Sequence, residues 1–143
     1  MAKQGRLYTN SPRLALNMFY WHRFVDYWSE FQEDYKEEGI IATWDNCNLI
    51  HEWIVEYICE GRDPESYIVE IEESDLSELS DFCKAKIKGY QKALGYCPEE
   101  LSYLKYTIQM IDKIYEYTTV DFKTGKMNAG ELDWNCRFFY QAF

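Results

Sequence analysis

Apolar side chains recur every three or four residues between Ser11 and Gly39, which is the spacing of one helical face. Ser11 is a suitable N-cap, Pro12 fits the first helical position, and Gly39 can adopt the left-handed conformation that ends a helix. Two adjacent rows make up the apolar face: Leu14, Met18, Trp21, Val25, Trp28 and Tyr35, then Tyr20, Phe24, Tyr27 and Phe31. The rows cover more than half of the circumference, so the pattern predicts one long helix that is central in the domain or packs partly against a second chain.

The opposite face of this predicted helix carries carboxylates at the same spacing: Asp26, Glu30, Glu33 and Glu37, with Asp34 beside them. A stabilised exposed helix usually places Lys four residues after Glu, but these neighbours all carry the same sign. Two like charges about 5.5 Å apart repel by somewhat under ~1 kcal/mol in water. Single Lys substitutions would relieve this repulsion, so the row favours a role for the acids other than stability.

A second predicted helix begins at Thr43 or Asp45 and ends at Gly61. Its apolar side contains Leu49, Ile50, Trp53, Ile54, Tyr57 and Ile58. Its outer side carries another like-charged row, formed by Glu52, Glu56 and Glu60. Because only Ile40–Ala42 connects the first two helices, the pattern predicts that they pack antiparallel.

Two further helices follow. The third begins at Ser74 or Asp75 and ends near Gly95, and it carries the only clear basic row, formed by Lys84, Lys88 and Lys92. The fourth begins at Cys97-Pro98 and extends to about Tyr117. Its core positions are Leu101, Leu104, Ile108, Ile111 and Tyr115.

Three segments have the character of strands. Residues 67–72 alternate and are β-branched, residues 132–141 alternate strictly, and residues 118–122 lie between them in the chain. The tail has a second interpretation, since Asn128 and Glu131 could cap a final helix. We expect a mainly α fold, a compact bundle of about four helices with a small sheet from segments 67–72, 118–122 and 132–141. An α+β fold is the alternative, and the length indicates a single domain over residues 1–143.

Charge is distributed in blocks. Residues 1–25 carry a charge of +4, residues 26–81 carry −16 and residues 82–143 carry +2, within a net charge of −10. No apolar run is long enough for a membrane span, and the first residues lack the apolar core of a signal peptide. The five cysteines are odd in number and scattered, which favours buried thiols in a reducing cytoplasm over a disulfide framework.

Catalytic and metal-binding motifs are weak in this chain. Cys47 and His51 have the i,i+4 spacing of two metal ligands, but a buried cysteine and an ordinary histidine are the more frequent case. His22 and Asp26 have the spacing of a general base and its orienting group, yet no nucleophile is placed beside them. The chain has no phosphate-binding loop or dinucleotide fingerprint. We therefore expect no enzyme activity, no cofactor and no metal.

The acidic block is the feature that needs a function. Direct nucleic-acid binding is disfavoured because phosphate contacts need a basic surface. The acids either keep the protein soluble or present an anionic surface to a basic partner, and carboxylate rows on helices approximate the charge spacing of DNA at lower density. The residues expected to bind the partner are Asp26, Glu30, Glu33, Asp34, Glu37, Glu52, Glu56, Glu60, Glu70, Glu72, Glu73 and Asp75.

Aromatic residues make up 18% of the chain, which suits either an aromatic-rich core or an interface. In composition the chain resembles the small acidic, aromatic-rich proteins of phages and mobile elements that inhibit host nucleic-acid enzymes, including anti-CRISPR and anti-restriction proteins. The resemblance implies a cytoplasmic inhibitor or adaptor whose partner is a basic, nucleic-acid-binding enzyme of the host. The alternative is a homodimeric structural or assembly protein that pairs through its aromatic face.

Overall fold

The computed structural model describes residues 4–25, 34–44, 48–62, 68–92, 98–120, 127–128 and 136–142. Its five helices are α1 (Pro12–Val25), α2 (Tyr35–Glu38), α3 (Asn48–Tyr57), α4 (Glu73–Lys92) and α5 (Pro98–Tyr117). Its six strands are β1 (Gly5–Thr9), β2 (Ile40–Trp44), β3 (Val69–Ile71), β4 (Thr119–Val120), β5 (Met127–Asn128) and β6 (Phe138–Ala142). No helix in the described ranges combines the length and apolar character that crossing a membrane requires.

Four strands form one antiparallel sheet in the order β2-β1-β6-β3. The strand nearest the start of the chain, β1, is therefore central, and it pairs with β6 so that Gly5 lies opposite Ala142. The register between β1 and β2 shifts after Leu7, where one extra residue of β2 forms a bulge. Strands β4 and β5 pair separately as a two-stranded sheet.

The sheet separates two apolar clusters of very different size. Side chains alternate along β1, so Leu7 points into the main core while Tyr8 points to the opposite face. On the Leu7 face the core includes buried residues from α1, α3, α4 and α5. On the Tyr8 face a small cluster contains Phe19, Tyr35 and Ile40. The four longer helices therefore contribute to the core on one face of the sheet, and α2 lies on the other.

The prediction of one long helix over residues 11–39 is wrong. Helix α1 ends at Val25, and Asp34 precedes the separate four-residue helix α2. Phe19 and Tyr35 pack in one cluster, whereas a continuous helix would hold them about 24 Å apart. Helices α1 and α2 are therefore not parts of one straight helix. The connection predicted at Ile40–Ala42 is also different, because these residues belong to strand β2.

The three other predicted helices are present as α3, α4 and α5, within a few residues of the expected bounds. Helices α4 and α5 form an antiparallel pair. The hydroxyl of Tyr90, near the end of α4, donates to the carboxylate of Glu100 near the start of α5. The hydroxyl of Tyr115, near the end of α5, donates to the carbonyl of Glu73 at the start of α4.

The strand predictions are confirmed in part. Segments 67–72 and 132–141 contribute β3 and β6, which pair with each other. Segment 118–122 contributes β4, but β4 pairs with β5 and not with the main sheet. Asn128 lies in β5, so it caps no helix, and Glu131 lies outside the described residues. With its four-stranded antiparallel sheet, the helix-rich fold matches the α+β alternative.

Candidate interaction surfaces

The outward side of α3 and the turn that follows it carry a row of three exposed carboxylates. Glu52, Glu56 and Glu60 are all exposed, while Trp53 and Ile54 between them are buried in the core. Among the described residues, no lysine or arginine forms an ion pair with any of the three acids. The predicted exposure of this row is confirmed, and its repulsion is not relieved by a neighbouring base.

Glu60 occupies a backbone conformation that disfavours it. Its φ is +54°, in the left-handed region, and Gly61 follows with φ of +86°. The helix end is closed by the N–H of Gly61, which donates to the carbonyl oxygen of Val55 at 2.8 Å. A residue with a Cβ in this conformation costs roughly 1–2 kcal/mol. An acid therefore stands where glycine would be more stable.

The predicted acids of the first helical segment do not continue the α3 row. Asp34 and Glu37 are exposed beside Tyr35, whose ring lies 5.6 Å from the guanidinium carbon of Arg6. Arg6 is next to Leu7 in β1 and points to the opposite face of the sheet. The sheet thus lies between the acids of α2 and those of α3. Asp26, Glu30 and Glu33 lie outside the described residues.

Two acids, Glu70 within β3 and Asp75 after it, make local hydrogen bonds. Both carboxylate oxygens of Glu70 accept hydrogen bonds at 2.9 Å from the guanidinium of Arg137, which also raises the pKa of Arg137. The carboxylate of Asp75 accepts the backbone N–H of Glu72 at 2.9 Å, at the start of α4. Glu72 is exposed and Glu73 is half-buried. The charge of Glu70 is thus paired with that of Arg137. The negative charges at residues 72–75 stabilise α4, because they lie at the positive end of its helix dipole.

His22 is a core residue. It is fully buried, with its Nδ1 2.7 Å from the carbonyl of Met18 and its Nε2 2.7 Å from the hydroxyl of Tyr106. A carbonyl only accepts, so Nδ1 carries the proton and Nε2 accepts from Tyr106. Burial lowers the pKa of His22 to about 4, against a smaller raising effect of the Met18 hydrogen bond. This neutral imidazole bonds at both nitrogens inside the core.

His51 is also buried, and its Nδ1 lies 2.8 Å from the hydroxyl of Tyr140. Cys47, the proposed second metal ligand, lies outside the described residues. No group of three His, Cys, Asp or Glu side chains in the described ranges is arranged to hold a metal. Cys59 is half-buried, Cys83 and Cys136 are buried, and burial raises the pKa of the Cys136 thiol.

The outward side of α1 is a second exposed surface, and the sequence pattern did not distinguish its apolar residues from core residues. Most described aromatic rings are buried or half-buried, but Tyr20 and Phe24 are exposed together with Leu16 on the outward side of α1. The pattern assigned Tyr20 and Phe24 to the buried band because they are apolar. The available signal was the arginines, since Arg13 and Arg23 flank the same side of the helix and are exposed.

Comparison with protein families, with curated proteins and with solved structures finds no match to this chain.

Proposed function

We propose that the protein is a non-enzymatic interaction protein that presents an acidic helical surface to a basic partner. The observation that carries the proposal is the row Glu52, Glu56 and Glu60, exposed along α3 and not ion-paired with any described base. Repulsion among like charges destabilises a helix, so the row is explained better by a partner than by stability.

The spacing of the row supports a partner that normally binds nucleic acid. Residues four apart on a helix rise by about 6 Å, compared with about 3.4 Å between phosphates along one DNA strand. The row therefore has the sign of a phosphate backbone at roughly half of its density. In this proposal the protein occupies the nucleic-acid groove of a host enzyme and inhibits it, as a nucleic-acid mimic of the anti-CRISPR or anti-restriction type.

The strained position of Glu60 is a second support. Non-glycine residues in the left-handed region persist where the surrounding structure or a function requires them. Glu60 is exposed and adds a third acid just after the last residue of α3. Long-range attraction to a basic groove would also speed the encounter of the two proteins.

Capture of basic proteins tests the proposal. The bait is the immobilised protein, and the sample is the fraction of a bacterial lysate that binds heparin resin at low salt. The wild type should retain a nucleic-acid-binding enzyme at about 50 mM salt and release it at about 500 mM, because salt screens the attraction. The triple variant Glu52→Lys, Glu56→Lys and Glu60→Lys should retain at least tenfold less.

The matched control places the same charge change elsewhere. Glu78, Asp81 and Asp112 are exposed, and reversing all three to Lys changes the net charge from −10 to −4, as the α3 variant does. The control should retain the enzyme nearly as well as the wild type. Equal retention by the α3 variant and the wild type would contradict the proposal, and equal loss in both variants would reduce it to an effect of net charge.

A further inference from the structure

The outward side of α1 carries an exposed apolar stripe. Leu16, Tyr20 and Phe24 recur every four residues, and their exposed fractions are 40%, 58% and 89%. The stripe extends over about 12 Å of helix, from the second turn to the last. A side chain as exposed as Phe24 leaves nearly all of its apolar area in water, which is unfavourable unless another surface covers it.

The stripe is bordered by positive charge. Helix α1 contains no acidic residue, and Arg13 and Arg23 lie on the same side of the helix as the stripe, near its two ends. The guanidinium of Arg23 lies 5.7 Å from the centre of the Phe19 ring, which holds it close to the helix surface. Exposed Tyr beside Arg is the composition of interface hot spots. A surface that covers this face should therefore be acidic and contain an apolar group.

We infer that the outward face of α1 docks on the acidic outward face of α3 in a second copy of this chain. The inference rests on the proposed function, because it uses the same α3 row. In this inference the α1 face of a second copy binds the row when no other basic partner is bound. Both faces belong to one chain, so every copy presents one basic face and one acidic face.

The α3 face has the complementary chemistry. Tyr57, the last residue of α3, is 70% exposed although its ring lies 5.5 Å from that of Trp53, and it adds exposed aromatic area next to Glu56. The two arginines on α1 are ten residues apart, a rise of about 15 Å, and Glu52 and Glu56 on α3 are four apart, a rise of about 6 Å. Two helices packed side by side therefore bring one arginine of α1 close to this pair of acids.

The other pairings within this chain fit less well. Two α1 faces pressed together would gather four arginines with no acid on either helix. The lysine row Lys84, Lys88 and Lys92 on α4 is exposed and opposite in sign to the α3 row, but it has no apolar stripe. Exposed ion pairs alone contribute little net free energy, because water already solvates both charges. Of these described surfaces, the α1 face is the one that combines positive charge with apolar area.

The contact joins two different surfaces, so it is heterologous and extends into rings or chains of copies. Sedimentation velocity of the wild type should show an average mass that rises above the monomer value of 17.2 kDa with concentration. The rise should be reduced at high salt, because the charged part of the contact is screened.

Two surface variants give the decisive test. The α1 variant is Tyr20→Ser with Phe24→Ser, the α3 variant is Glu52→Lys with Glu56→Lys, and all four positions are exposed. Each variant alone should be monomeric, because each lacks one of the two faces. An equimolar mixture should form a one-to-one dimer, because the α1 variant keeps its α3 face and the α3 variant keeps its α1 face. The control Ile68→Ser removes an exposed apolar side chain elsewhere and should associate like the wild type.

Three results would overturn the inference: a wild type that stays monomeric at millimolar concentration, an α3 variant that associates by itself, or a mixture that forms no dimer. The proposed function is read separately by enzyme capture. If enzyme capture requires the α3 row and the protein does not self-associate, the inference is rejected and the proposed function is kept. If the protein self-associates and enzyme capture does not depend on the α3 row, the inference is kept and the proposed function is rejected.

Discussion

His22 lies inside the molecule and Glu56 lies on its surface. Within the described part of the chain, His22 has hydrogen-bond partners at both ring nitrogens and the carboxylate of Glu56 has none. A second set of buried groups behaves like His22, since the indole N–H of Trp44 donates at 2.8 Å to the hydroxyl of Thr107, which itself donates to the carbonyl of Tyr103. Buried polar groups without partners are expensive, so these hydrogen bonds stabilise the core. The α3 acids, in contrast, are solvated and repel one another. The buried polar groups therefore stabilise the fold, whereas the exposed acids are available to other molecules.

The largest effect is expected from the buried histidine as pH falls. Its folded-state pKa of about 4 is below the unfolded value of about 6.5, so the unfolded chain binds the proton more tightly. Stability from this group is fully present above about pH 6.5 and is lost as pH falls toward 4, with about 2–3 kcal/mol gone at pH 4.5. Urea unfolding of the wild type and His22→Gln at pH 7 and 4.5 measures it.

The difference between the two proteins isolates the histidine, because both share every carboxylate. The wild type should lose about 2–3 kcal/mol more than the variant between the two pH values. Parallel losses in both proteins would show that His22 is not protonated on unfolding in this range. They would also contradict the view that buried polar groups contribute more to stability than exposed ones.

A smaller loss is expected where the interior is tightest. A Cβ added at Gly5 would lie 2.6 Å from the hydroxyl oxygen of Tyr140, which is bonded to His51. Gly5→Ala should therefore displace the buried tyrosine and lower the free energy of unfolding by about 1–3 kcal/mol. Gly89→Ala in α4 is the control, since no atom lies within 4 Å, and it should raise stability by about 0.5–1 kcal/mol. Thermal unfolding of both variants checks the contrast, and equal effects would contradict it.

The smallest expected effect is an increase in stability, and it comes from a substitution on the surface. Glu60→Gly should raise the free energy of unfolding by about 0.5–1 kcal/mol, because it relieves the left-handed strain. Glu56→Gly makes the same chemical change inside the helix and should lower stability by about 1 kcal/mol. Both variants should weaken retention of the captured enzyme. A gain of stability at 60 with undiminished capture would show that Glu60 has no part in binding.

Much of the helical structure follows from periodicity, and the errors have identifiable causes. Helices α3, α4 and α5 have long apolar repeats with clear ends, so the sequence located them. Strand β2 reads as the short apolar run Ile40–Trp44, and all five residues are buried, so it lacks the alternation that marks a strand. Gly39 does end a helix in the left-handed conformation, but that helix is the short α2.

The sequence predicted which single residues are exposed, but it did not predict how the exposed residues are arranged relative to one another. Exposure of Glu52 and Glu56 follows from the helical repeat, since their neighbours Trp53 and Ile54 are apolar. The pairing of Glu70 with Arg137 joins residues far apart in the chain and depends on β3 lying beside β6. The separation of the α2 acids from α3 depends likewise on the sheet, which a linear pattern does not reveal.

The pairing of β1 with β6 also governs how the molecule can be assembled during synthesis. Residues 5–9 must wait for residues 138–142 before the centre of the sheet is complete. Contacts so distant in sequence form slowly, because a long loop must close before any interaction rewards the closure. The helical hairpin of α4 and α5 needs only nearby residues and can form first. We therefore expect the wild type to refold with late sheet closure, and shortening β6 to slow refolding more than it accelerates unfolding.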